Sequence, residues 1–136
     1  MGTDTVTIAQ FIKANRISMT AERTDFNPHM EDSRNMDHWK CVVGMGGKRM
    51  TVVFSQGFGH KGKEPKLADV LNCIAFDASS VENSPSFEDW ASDLGYETDS
   101  RKAEKTFKYV EHQAKRLRKF LGDDLYQTLL WNTERE

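Results

Sequence analysis

Apolar residues in the stretch Asp99–Leu121 recur at Ala103, Phe107, Val110, Ala114, Leu117 and Leu121, in alternating steps of four and three. That spacing predicts one apolar stripe along a helix, with charged side chains on the remaining surface. Asp99 or Ser100 is placed to cap its first amides, and Gly122 follows the last apolar position, where a left-handed residue ends a helix. Upstream the period changes twice. Ile8, Phe11 and Ile12 fit a short helix over Thr7–Ala14, capped by Thr5 or Thr7 and stopped at Asn15. In Arg16–Arg23, Ile17, Met19 and Ala21 alternate with Ser18, Thr20 and Glu22, the pattern of a half-buried strand.

Thr24–Asn35 is polar, contains Asn27-Pro28 and reads as an exposed, mobile loop. Met36–Val43 and Lys48–Ser55 flank Gly44-Met45-Gly46-Gly47 and predict a hairpin. Trp39, Cys41 and Val43 share one face with Met50, Val52 and Phe54. Four helices would cover that face besides the first. Pro65 is expected in the first turn of a helix with Leu67, Val70, Leu71, Ile74 and Ala78 inward. Ser84-Pro85-Ser86 opens another with Phe87, Trp90, Ala91 and Leu94, ended by Gly95. The long helix follows, and then a last one with Leu125, Leu129 and Leu130 inward, fraying at Thr133–Glu136. The expected fold is a single α+β domain over residues 1–136: a three-stranded antiparallel sheet covered by helices, with a long amphipathic helix near the C-terminus.

Size agrees with this. A chain of 136 residues with 38% hydrophobic positions can close one core, and a mean hydropathy of −0.68 implies a polar exterior. No apolar run approaches the roughly 18 residues that a membrane span requires, and no signal-peptide core is expected at the N-terminus. Cys41 and Cys73, both set among apolar residues, read as reduced buried thiols.

The net charge of −2 conceals an asymmetry. Leu67–Asp99 carries eight acidic residues and no Lys, Arg or His; Arg101–Lys119 carries eight basic residues against Glu104 and Glu111. Segments of −8 and +6 therefore adjoin, which points to charged partners unless the two neutralise each other. The acidic surface, represented by Glu82, Glu88, Asp89, Asp93 and Glu97, suits a basic groove on another protein. The basic face, represented by Lys102, Lys105, Lys108, Lys115, Arg116 and Lys119, suits nucleic-acid phosphates, with Tyr109 or Phe120 available to stack on bases.

Other patterns weigh less. Gly57–Gly62 matches G-x-G-x-x-G, but the preceding strand belongs to an antiparallel hairpin and the helix is expected to begin only at Pro65, so a loop at the sheet edge is expected instead of a dinucleotide site. His38, Cys41, His60 and Cys73 could supply four zinc ligands, but His38 and Cys41 are three apart on a strand and face opposite sides, so no metal is expected. No nucleophile motif is visible, Ser79, Ser80, Ser84 and Ser86 sit at caps and turns, and Glu88-Asp89 suit a helix N-terminus; neither catalysis nor a cofactor is expected. The long stripe covers under three heptads, too little for a coiled-coil seam.

The segments NMDHWKC (35–41), MTVVFSQGFGH (50–60), LADVLNCIAFDASS (67–80) and FEDWASDLGYETDSRKAEKTFK (87–108) resemble small proteins encoded by bacteriophages and prophages. The resemblance implies action in the host bacterial cytoplasm and, by analogy with anti-CRISPR proteins, inhibition of a host defence protein or RNA-guided nuclease complex. Monomer and homodimer are both compatible with it. It assigns no residue a role.

Overall fold

The computed structural model describes residues 5–25, 36–57 and 62–134, with only the backbone given at Met36 and Gly57. The order is β1 (Val6–Thr7), α1 (Ile8–Ala14), β2 (Ile17–Thr24), β3 (Met36–Met45), β4 (Lys48–Gly57), α2 (Leu67–Asn83), α3 (Phe87–Asp93), α4 (Arg101–Leu121), α5 (Asp123–Trp131) and β5 (Thr133–Glu134). The expected α+β architecture is what the chain adopts.

Strands β2, β3 and β4 form an antiparallel meander in that order, with Ala21 opposite Cys41 and Cys41 opposite Val52. Because side chains alternate, Trp39, Cys41, Val43, Met50 and Val52 are buried together on the helix-covered face. The β3–β4 turn is tighter than the glycine spacing suggests. Gly44 and Met45 stay in the strand, Met45 pairs with Lys48, and Gly46 takes the turn with φ +61°. Of the polar loop expected over Thr24–Asn35, Thr24 extends β2; positions 26–35 lie outside the described residues.

Helix starts follow local chemistry. Thr7, not Thr5, caps α1 in a reciprocal pair with Gln10, whose amide donates to the Thr7 hydroxyl at 3.1 Å. Ser86 and Ser100 accept the Asp89 and Ala103 amides to open α3 and α4. Pro65 corrects the expectation for α2. It precedes the cap residue Lys66 and is buried, so it fixes the approach to the helix and takes no part in its first turn.

Helix α4 carries Ala103, Phe107, Val110, Ala114, Leu117 and Leu121 inward as its stripe requires. It serves two cores. The larger gathers Ala114, Leu117, Phe120 and Leu121 with the sheet face, α1, α2 and α5; the smaller gathers Phe107 and Val110 with Val81, Trp90 and Ala91. Rings hold the second together: Trp90 and Phe107 centroids are 5.3 Å apart, Phe87 and Phe107 5.7 Å. Tyr126 is fully buried on α5. The expected C-terminal fraying is also corrected. Thr133 and Glu134 pair in parallel with Val6 and Thr7, and two-residue strands are too short to leave a hydrophobic period in the sequence.

Truncating the buried Leu117 to Ala should cost about 2–5 kcal/mol in urea unfolding, whereas Lys115→Ala, on the outer face of the same helix, should stay within about 0.5 kcal/mol. Equal losses would mean that the stripe does not hold α4 in place.

Candidate functional site

On α3 the acidic residues oppose the core. At about 100° per residue, Phe87, Trp90 and Ala91 share one side of the helix, and Glu88, Asp89 and Asp93 fall on the other. All three are exposed, as is Glu97 beyond the turn at Gly95. Asp93 is anchored, since its carboxylate accepts the hydroxyl of buried Ser84. Glu82 separates from this group. Near the end of α2 it accepts the Tyr126 hydroxyl at 2.9 Å, and burial followed by that carboxylate raises the phenol's pKa.

The basic residues divide in the same way. Arg101, Lys105, Lys108, Lys115, Arg116 and Lys119 fall within about 100° of arc on α4, with Lys102 about 40° beyond. Arg118 projects away from this arc and is the one paired with an acidic neighbour on α5, 2.7 Å from Asp123. Lys108 pairs with Glu104 at 3.3 Å on its own helix. Among the described residues, none of the ion pairs joins the acidic stretch to the basic arc; the field of Glu82 reaches Arg118, and those of Asp77 and Arg116 both reach Tyr109. Lys48, Arg49, Arg116 and Lys119 converge on a groove of about 470 Å³ floored by Met50 and Phe120.

Base stacking by aromatic residues does not survive this geometry. Phe120 is buried in the main core. Tyr109 is partly buried, and its hydroxyl accepts from Gln113 Nε2 at 2.8 Å and meets the Val53 backbone. What remains exposed on this face is positive charge.

A third site was not foreseen. Between β4, α2, α3 and α4 lies a groove of about 390 Å³. On α2 its lining residues Phe76, Ser80, Cys73 and Asp77 occupy the flank beside the buried stripe, Asp77 within about 20° of buried Val70 on the helical wheel. Thr106, Tyr109 and Gln113 line it from α4, Trp90, Leu94 and Tyr96 from α3 and its turn, and His38 and Ser55 from the sheet. No Lys or Arg is among these residues, and among the described residues Asp77 supplies the groove's one carboxylate. Burial pushes that carboxyl up to about 6.

Cys73 corrects an expectation. It is exposed, on the flank of α2 instead of its buried stripe, while Cys41 is buried as expected. The groove wall and Asp77 push the Cys73 thiol up to about 12, so it stays protonated and is a poor nucleophile. Of the four zinc candidates, Cys41 faces the core, His38 Nδ1 lies 2.6 Å from Ser55 Oγ, and His60 lies outside the described residues. Among the described residues, no group of three or more His, Cys, Asp or Glu is placed to hold a metal. The Gly57–Gly62 motif also falls largely outside them, though Gly62, with φ +83°, donates its amide to buried Asp37. No described helix is long and apolar enough to cross a membrane.

Compared with protein families, curated proteins and solved structures, the chain finds no match in any of the three.

Asp77 makes stability depend on pH. Its folded-state value, about 6, lies above the ordinary 3.8, so folding favours the protonated form. This group therefore costs nothing below about pH 4, and stability falls as pH rises from about 4 to about 6. Asp77→Asn should raise stability at neutral pH by on the order of 2 kcal/mol, with the gain vanishing below about pH 4. Thermal melts of both proteins across that range check it; a pH-independent difference would remove the buried charge as its cause.

Proposed function

We propose that this is a non-enzymatic binding protein, an inhibitor of the phage or prophage type, that engages a basic surface of a host defence complex in the bacterial cytoplasm. An RNA-guided nuclease assembly is the target class proposed. The observation that carries the reading is the composition of one surface. Glu88, Asp89, Asp93 and Glu97 point outward without a basic partner among the described ion pairs. Large apolar side chains are exposed beside them: Phe76 (57%), Leu94 (41%) and Tyr96 (40%). Phe76, Leu94 and Asp93 line one shallow hollow of about 210 Å³. Apolar side chains within a like-charged rim suit a protein interface, where the rim steers encounter and the apolar centre supplies burial.

The clean charges to test are Glu88, Asp89 and Glu97, because Asp93 is tied to Ser84 and Glu82 to Tyr126. Immobilised protein exposed to bacterial lysate, with mass spectrometry of what it retains, identifies the partner. The triple change Glu88→Lys, Asp89→Lys, Glu97→Lys should lower that affinity at least about tenfold while leaving the circular dichroism spectrum unchanged. Undiminished capture by the triple variant would refute the acidic surface.

A second reading keeps the basic face as a nucleic-acid contact. It is favoured by the confinement of Lys105, Lys108, Lys115, Arg116 and Lys119 to one arc, continued by Lys48 and Arg49 around a shared groove. It predicts retention of DNA or RNA that weakens about a thousandfold between roughly 50 and 200 mM salt. Each Lys→Ala change on the arc should reduce the salt slope by about one. Fluorescence anisotropy with a labelled oligonucleotide measures both, and no binding at low salt ends this reading.

A further inference from the structure

We propose that the groove between β4, α2, α3 and α4 receives an arginine side chain presented by the protein partner of the acidic surface. This rests on the reading of that surface as a docking face, and names its anchor.

Asp77 contributes a carboxylate, and among the described residues no Lys or Arg lines the walls to meet it. The carboxylate stays in a setting that penalises its charge, a local cost that a bound cation would remove. A second polar group is also unmet. His38 is 9% exposed, and its Nε2 has no hydrogen-bond partner among the described residues. Nδ1 lies 2.6 Å from Ser55 Oγ, and in the tautomer whose Nδ1–H donates there, Nε2 is an acceptor. The Asp77 carboxylate, joined in that tautomer by His38 Nε2, asks for a ligand that carries donors and positive charge. Guanidinium is such a group: five N–H donors, a permanent charge and no acceptor.

The mouth fits the rest of the side chain. Tyr96 stacks on buried Trp90, with centroids 5.3 Å apart and planes at 15°, and brings an aromatic ring, the kind of group that suits a planar cation, to the groove mouth. Phe76 and Leu94 stand exposed at the same opening and suit the methylene stem. The adjoining hollow adds the Asp93 carboxylate at the rim. Charge complementarity therefore runs from the surface inward, which favours a basic side chain reaching in from a bound protein. Arg and Tyr contacts of this enclosed kind dominate binding at many interfaces.

The test uses the full chain, isotope-labelled, titrated at about pH 8 with a capped Gly-Arg-Gly peptide and with matched peptides carrying citrulline or lysine. The Arg peptide should shift the amides of Cys73, Asp77, Thr106 and Gln113 with a dissociation constant on the order of 1 mM. Citrulline should bind at least about tenfold more weakly, and so should the Arg peptide to Asp77→Asn, whose neutral side chain is not expected to harm the fold. Tyr96→Ala should weaken Arg binding while the circular dichroism spectrum stays that of the folded protein, with some loss of melting temperature from the Trp90 stack. Equal binding of Arg and citrulline, equal binding of Arg and lysine, or no shift at the groove would overturn the proposal. The two readings fail separately. A silent groove with capture still lost in the Glu88/Asp89/Glu97 variant removes the anchor alone; a responsive groove with capture intact removes the acidic docking face.

Discussion

The structure depends on where α4 buries its stripe. About 21 residues at roughly 1.5 Å each make a beam about 31 Å long, enough to reach two cores with one element. Its C-terminal half fills the space between the sheet, α2 and α5 with Ala114, Leu117, Phe120 and Leu121. Its N-terminal half holds Phe107 and Val110 against Trp90, Ala91 and Val81. The seven-residue α3 is too short to be stable by itself. It is kept in place by ring contacts of Trp90 and Phe87 on Phe107, so the acidic surface is positioned by the same beam that carries the basic one.

The groove is a by-product of that arrangement. Residues lining it where the elements converge are small or short, among them Val52, Ala78, Val110 and Ala114, and they leave a volume that no side chain of the protein fills. Placing Asp77 on its wall runs against the chain's own stability, since an apolar or amide residue there would avoid the cost of desolvating a carboxylate. Such conflicts between a local choice and the fold concentrate at sites with a function. Cys73 sits on the same flank of α2 and, with its thiol held protonated, contributes shape without charge.

Much of the architecture was legible in the periodicities. Steps of three and four gave α4, and alternation gave the faces of β2, β3 and β4, because each element buries one side and so writes its period into the chain. Features that depend on few residues were harder to see. β1 and β5 have two residues apiece and no period. Thr7 and Thr5 are equivalent until the Gln10 reciprocal bond selects one. Tyr126 carries a polar hydroxyl, which masks a fully buried ring whose one outlet is Glu82. The charged residues were found as two runs, but a run does not say which members are committed: Arg118, Glu82 and Asp93 have partners brought from other elements or turns. Asp77 was counted only as one acid among eight. A helical wheel over Leu67–Asn83 sets it at the edge of the Val70 stripe, and that signal was present in the sequence.

Whether opposite charges so close in sequence cancel is decided by rotation about α4. Its buried stripe and its basic arc lie on nearly opposite sides, and α3 packs on the stripe through Phe107 and Trp90. The outward acids of α3 therefore lie on the far side of α4 from Lys105, Lys108, Lys115 and Lys119. A helix with its side chains is about 10–12 Å across. That is at least one Debye length at physiological salt, about 8 Å, so the two zones are largely screened from each other through solvent. Arg118 is the informative exception. It turns off the arc toward Asp123 and Glu82, and it is the basic residue of this helix that meets carboxylates from other elements. Lys105, Lys115 and Lys119 keep their charge for the outside because the periodicity that buries Leu117 turns them away from the core.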